Sequence, residues 1–143
     1  MDRAGNTSPA SAVRKIIIDY TKPSESTLIA PANNENTRTL TPVFRWGLSA
    51  DTGSGISYYY LEADDDSGFA SINYSETALQ DTAAFQSSLN EGTYYFRVRA
   101  LDNAGNAGTG SNVNLFRVDA TAPGTQSIIS PLNGEATFAL RPV

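Results

Sequence analysis

Along most of the chain apolar and polar positions alternate with a period of two, the spacing of a strand with one buried face, and no convincing amphipathic helix is visible. The clearest stretch is Tyr94-Tyr-Phe-Arg-Val-Arg-Ala100: Tyr94, Phe96, Val98 and Ala100 share one face, and Tyr95, Arg97 and Arg99 the other. Val43-Phe-Arg-Trp46 repeats the pattern with Phe44 and Trp46 inward, which makes Trp46 a core residue rather than a sugar platform. The best apolar face of 56–63 is Ile56, Tyr59, Leu61 and Ala63, leaving Tyr58, Tyr60 and Glu62 outward. Further strands are predicted at Thr27–Ile29, Phe69–Tyr74, near Ala84-Phe85 and at Val113–Val118. Clusters rich in Gly, Asn, Asp and Ser at 49–55, 64–68, 90–92 and 102–110 read as turns. About seven short strands at such intervals predict an all-β, antiparallel β-sandwich.

A second period overlies the first. Residues 2–43 align without a gap on residues 102–143 at an offset of 100, and 17 of the 42 pairs are identical. Among them are Asp2/Asp102, Gly5/Gly105, Asn6/Asn106, Asp19/Asp119, Thr21/Thr121 and Pro23/Pro123. Self-similarity at this length, the size of one sandwich domain, predicts a tandem array. The expected division is 1–23 as the last strand and linker of a preceding repeat, 24–119 as a complete domain, and 120–143 as the linker and first strands of the next. Ile16 and Ile18 stand where Phe116 and Val118 stand in the full repeat. The N-terminal segment is therefore a second copy of the last strand, which could dock, stay loose, or swap between molecules, giving a monomer or a strand-swapped dimer.

The run from Leu89 to Asp102, Leu-Asn-Glu-Gly-Thr-Tyr-Tyr-Phe-Arg-Val-Arg-Ala-Leu-Asp, resembles the penultimate-strand signature of fibronectin type III domains, with Tyr94 placed for the tyrosine corner and Leu89 beneath it. Trp46 matches the core tryptophan of the same family. Asp-Asn-Ala-Gly-Asn at 102–106 and Val-Asp-Ala-Thr-Ala-Pro at 118–123, both echoed in the N-terminal segment, resemble bacterial Ig-like repeats of large cell-surface proteins and adhesins. The resemblance implies an Ig-like/fibronectin III-like sandwich, an extracellular or cell-surface setting, and a non-catalytic stalk or spacer role with neighbouring repeats as partners. The alternative it leaves open is a module that binds glycan or a host or cell-surface protein, or an accessory domain of a secreted hydrolase.

Composition narrows the chemistry. The chain has 143 residues with 15 Asp+Glu against 10 Lys+Arg, a formal charge of -5, and neither Cys nor His. Acidity argues against an electrostatic grip on nucleic acid or anionic lipid. The missing Cys and His remove disulfides, thiolate sites, the commonest transition-metal ligand and the usual general base, so no enzyme and no required cofactor are expected. No stretch approaches the ~20 apolar residues of a spanning helix, and the start carries no apolar signal core, so membrane insertion is not expected.

Three features could carry a function. In a fibronectin-like sandwich the loop 51–55, the loop 102–110 and the incoming linker meet at one pole, so Asp19, Asp51 and Asp102 should converge, with Asn103 or Asn106 carbonyls beside them. Such a set of hard oxygens suits Ca²⁺ at an inter-repeat junction; the same residues also suit ordinary Asx turns. Tyr58, Tyr60 and Tyr95, with Arg97 and Arg99, form a predicted outward strip for a sugar ring or partner protein, or else cross-strand pairs that stabilise the sheet. Asp64-Asp-Asp66 reads as a solvated turn at the opposite pole. The sequons at Asn6 and Asn73 are assigned no role, and Asp51-Thr-Gly-Ser-Gly55 lacks the lysine of a phosphate loop.

Overall fold

In a computed structural model, which describes residues 1–85, 88–127 and Gly134, the alternating segments form eight strands and no helix. They are β1 (Leu28–Ala30), β2 (Glu35–Thr37), β3 (Val43–Trp46), β4 (Ile56–Asp64), β5 (Tyr74–Leu79), β6 (Ala83–Phe85), β7 (Gly92–Asp102) and β8 (Asn114–Val118). One sheet has the order β1-β3-β6 and the other β2-β8-β7-β4-β5. The second is antiparallel except where β2 runs parallel to β8, pairing Glu35 with Phe116 and Thr37 with Val118. That strand, Glu-Asn-Thr, has no apolar alternation by which sequence could announce it.

The sheets bury an aromatic core. Phe44, Leu61, Phe96, Val98 and Phe116 are fully buried, and Trp46, Tyr59, Ala63, Ala100 and Val118 nearly so. Phe44 packs on Phe96 at 5.0 Å between ring centres and on Phe116 at 5.8 Å, and Trp46 meets Tyr59 edge-on at 5.6 Å, tilted geometries that aromatic quadrupoles favour. The expected faces of β3 and β7 are therefore the observed ones. On β4 the inward set skips from Ile56 to Tyr59 because a bulge shifts the β4–β7 register by one residue, from Ile56 opposite Asp102 to Tyr58 opposite Leu101. Tyr94 makes the expected corner: its hydroxyl donates to the Asn90 carbonyl at 3.2 Å, above a buried Leu89.

Two local expectations are corrected. The strand placed at Phe69–Tyr74 begins at Tyr74 instead, and Phe69 sits in a turn with a positive φ of 54°, its ring covered by the Arg97 guanidinium at 4.1 Å. Asp64 is not part of a solvated turn. It ends β4 opposite Tyr95, fully buried, with Oδ1 accepting from the Asp65 amide and Oδ2 lacking a partner among the described residues. The N-terminal copy of the last strand forms no ladder here: β8 fills that position, and Val13, Ile16 and Ile18 are exposed. Of the segment assigned to a next repeat, residues 120–127 carry no strand, and 128–143 apart from Gly134 lie outside the described residues. Among the described residues no helix is long and apolar enough to cross a membrane.

Phe44 touches both Phe96 and Phe116, so Phe44→Ala should cost about 3–5 kcal/mol in urea unfolding, whereas Tyr94→Phe, which removes only the corner bond, should cost about 1 kcal/mol.

Candidate functional site

At the pole where β4 begins and β7 ends, the pairing of Ile56 with Asp102 sets the loop 51–55 beside the turn 102–106. Each is built around an aspartate. Asp51 Oδ2 accepts from the Gly53 and Gly55 amides at 3.1 and 2.7 Å, and the positive φ of Gly55 (81°) lets the loop close. Asp102 Oδ1 accepts from the Ala104 and Asn106 amides at 2.9 and 2.8 Å, and its Oδ2 takes Asn106 Nδ2 at 2.7 Å. The loops are laced together: Asn103 Nδ2 donates to the Ser54 and Gly55 carbonyls, and the Ala104 amide donates to Ser54 Oγ.

Onto this platform the linker docks. Asp19 Oδ2 accepts from the Ser54 amide at 2.7 Å, and Oδ1 takes the Thr21 amide at 2.9 Å. Asn106 Nδ2 reaches the Asp19 and Thr21 carbonyls at 3.0 and 3.2 Å. The Asp19 carboxylate occupies the space that a Cβ at Gly53 would need, so a side chain there would displace it, and the backbone of the buried Pro23 lies 2.9 Å from where a Gly108 Cβ would stand, so position 108 requires glycine. Beyond Pro23, Ser24 and Ala50 exchange two bonds of 2.9 Å, and the buried pair Ser26 and Ser49 is joined at 2.8 Å. The Ser49 amide donates to the Tyr59 hydroxyl in the core. A polar seam thus runs from Asp19 to the hydrophobic centre.

The seam gathers charge. One oxygen each of Asp19, Asp51 and Asp102 lies within 4.8 Å of the others, and among the described residues the only ion pair is elsewhere, between Arg97 and Glu62. Like charges at such distances repel by roughly 1–4 kcal/mol per pair, depending on the local dielectric. Asp51 Oδ1 is buried without a hydrogen-bond partner among the described residues. The Thr21 amide foremost, within the linker's own turn, then Ser54 in the receiving loop, holds the Asp19 carboxyl below the usual 3.8, so the Ser54 contact favours the ionised form and weakens as pH falls through that lowered value. Of the two asparagines expected beside the carboxylates, Asn103 uses its amide nitrogen to fasten the two loops, and Asn106 uses its own to link Asp102 to Asp19.

The tyrosine strip divides. Tyr58 and Tyr60 line an open groove of about 420 Å³ with Glu62, Thr77, Arg99, Leu101 and Ala107. Tyr95 and Arg97 lie outside it: Tyr95 stands opposite Asp64 at the far end of the ladder, and Arg97 is held by Glu62 at 2.6 Å and by Phe69. Sequence reasoning did not single out Gly53 and Gly108, whose close approach to the linker appears only once the linker is docked; the sole prior signal was the unusual glycine density of both loops.

A sandwich with this order, tyrosine corner and core tryptophan is a fibronectin type III-like fold. Among solved structures the chain is similar to fibronectin(III)-like modules of CbhA from Clostridium thermocellum, with a TM-score of 0.53 and 18% identity over 80% of this chain. It spans about half, 54%, of that structure's length. An Fn3-like protein from Clostridium thermocellum (TM-score 0.47, 16% identity, 75% of this chain and 97% of that one) and the sixth fibronectin type III domain of human fibronectin type III domain containing protein 3 (0.49, 19%, 82% and 100%) are more distant in geometry. No family model and no curated protein matches the chain.

Replacing Gly53 by Ala should undock the linker while leaving the sandwich folded. Hydrogen exchange at the Ser54 amide would accelerate at least tenfold, with β7 amides unchanged; slow exchange at Ser54 in the variant would contradict the docking.

Proposed function

We propose that the chain is a stretch of non-catalytic spacer repeats from an extracellular surface protein, and that its work is to hold successive sandwiches in line. The observation that supports this reading most directly is the docked linker. A linker that merely tethered two domains would have no reason to place a carboxylate on Gly53 and a proline on Gly108. The turn Asp2–Asn6 reproduces the Asp102–Asn106 turn bond for bond: Asp2 Oδ1 accepts from the Ala4 and Asn6 amides, Oδ2 takes Asn6 Nδ2, and the glycine has the same φ of 90°. A second receiving turn of the same design, one period upstream, is what an array would contain.

We assign Ca²⁺ to the junction as part of the same reading. Oxygens coordinating one Ca²⁺ at about 2.3–2.6 Å lie no more than about 5 Å apart, which the Asp19, Asp51 and Asp102 oxygens satisfy. The orphaned Asp51 Oδ1 is a free ligand atom, and the ion would offset the mutual repulsion of the three carboxylates. Backbone carbonyls or water would complete its shell. Titration calorimetry should register binding, and the melting temperature should rise by about 10 °C at a Ca²⁺ concentration 100-fold above Kd. Asp51→Asn should abolish both effects. Absence of heat and of any shift at millimolar Ca²⁺ would remove the ion from the proposal and leave the spacer role standing.

A second reading, a glycan- or protein-binding module, draws on the groove at Tyr58 and Tyr60, where Arg99 also approaches the Tyr60 ring at 5.7 Å. It predicts glycan-array signals that fall at least tenfold in Tyr58→Ala and Tyr60→Ala. Binding that survives both changes would place the ligand elsewhere.

A further inference from the structure

We infer that each inter-repeat linker is held from both sides at once, its hydrogen-bond donors by the repeat it leaves and its acceptors by the repeat it joins, so that neighbouring repeats form one rigid body. The inference rests on reading the chain as part of a tandem array. It comes from the fact that the chain contains the linker twice, once approaching the domain at Asp19-Tyr-Thr21 and once leaving it at Asp119-Ala-Thr121.

The two copies share a local conformation. In each, the threonine amide donates to its aspartate's Oδ1, at 2.9 Å for Thr21 and 3.2 Å for Thr121, an Asx turn that fixes how the following residues project. What surrounds them differs. The leaving copy is bound through its donors: the Asp119 amide to the Thr37 carbonyl at 2.9 Å, the Ala120 amide to Glu91 Oε1 at 2.8 Å, and Thr121 Oγ1 to both Glu91 oxygens at 2.8 and 3.0 Å. The approaching copy is bound through its acceptors: Asp19 Oδ2 by the Ser54 amide, and the Asp19 and Thr21 carbonyls by Asn106 Nδ2.

No atom belongs to both sets. Laid on one linker, the two sets of bonds therefore do not compete for any donor or acceptor, and together they satisfy nearly every polar group from the aspartate to the threonine. Positions 20/120 and 22/122, where the copies differ in sequence, contribute at most a backbone amide to either set. The partner surface is thus specified: a preceding copy of this repeat, presenting the counterparts of Glu91 and Thr37. The exposed isoleucines agree with it. Ile16 and Ile18 are 84% and 78% exposed, whereas the residues one period later, Phe116 and Val118, are 0% and 1% exposed. Val118 is followed without a spacer by Asp119, so in an array the core strand of one repeat would run directly into the clamp of the next.

The test is the chain extended by one period, residues 1–118 followed directly by residues 19–143, which gives two complete repeats joined by one Asp19–Pro23 linker. With EDTA present, so that no cation contributes, residual dipolar couplings should fit a single alignment tensor for both repeats. Glu91→Ala in the first repeat, which removes every donor-side bond except that to the Thr37 carbonyl, and Asn106→Ala in the second, which removes acceptor-side bonds, should each split it into two tensors of different magnitude. Glu91→Ala in the 143-residue chain should leave its β7 amide exchange unchanged, showing that the domain itself is intact. Two independent tensors in the unsubstituted two-repeat protein, or a single tensor that persists in both variants, would overturn the inference. The array reading fails separately: the coding sequence flanking residues 1–143 would then lack further copies of the Asp-x-Ala-Gly-Asn and Asp-x-Thr-x-Pro motifs, whatever the couplings show.

Discussion

The rest of the structure hangs on the register of β4 against β7. These are the two longest strands, and their ladder runs from Ile56 opposite Asp102 at one pole to Asp64 opposite Tyr95 at the other. One face supplies Tyr59, Leu61, Phe96, Val98 and Ala100 to the core, and the opposite face carries Tyr58, Tyr60 and Arg99 along the groove. The ends of the ladder decide the poles. Because Asp102 sits across from Ile56, the Asp51 loop and the Asp102 turn become neighbours; because a strand has period two, a slip of one residue would exchange core and groove together. The bulge between Ile56 and Tyr58 is the single place where that phase changes, and it lies beside the junction rather than in the middle of the core.

Within that frame the junction is assembled from pieces that fold locally. The Asp2–Asn6 turn forms the same bonds as Asp102–Asn106 although it is exposed and, among the described residues, makes no hydrogen bond to the sandwich. Its carboxyl is held below the usual range mainly by the Asn6 side chain, an interaction contained in five residues. Asp, Gly and Asn at these spacings thus specify the turn by themselves: the carboxylate collects nearby amides, the glycine takes a φ of 90°, and the asparagine closes the loop. The sandwich adds the position of the turn. Only at Asn106 does the amide have a linker within reach.

This division explains what the sequence disclosed. Alternation in β3 and β7 named the core correctly because a buried strand face leaves a period-two record, and the convergence of Asp19, Asp51 and Asp102 followed from topology once the sandwich was recognised. β2 left no such record, being three residues held by parallel pairing to β8 and by the Asn33 side chain, which accepts from the Leu115 amide. Asp64 was misplaced because an aspartate among aspartates reads as solvent-exposed, while its burial depends on the strand continuing one residue past the apolar run. Tyr95 and Arg97 were grouped with Tyr58 and Tyr60 because they share a face; separation along the strand, at about 3.3 Å per residue, carries them away from the groove. Face is legible in sequence, distance along a ladder less so.

Stiffness is where the two levels meet. Three linker residues would need roughly 1–2 kcal/mol each to lose their backbone freedom, more than one or two exposed hydrogen bonds supply at about 0.5–1.5 kcal/mol apiece. The bonds on the approaching side are only about sufficient to order the linker on its own domain, and those on the leaving side are similarly balanced. In the proposed array, adding the second set to a linker already ordered by the first would carry no further backbone cost, so bonds that are marginal alone would become net stabilising with both repeats in place. Such coupling requires that the two sets use different atoms of one conformation, and the division into donors and acceptors around a shared Asx turn meets that requirement.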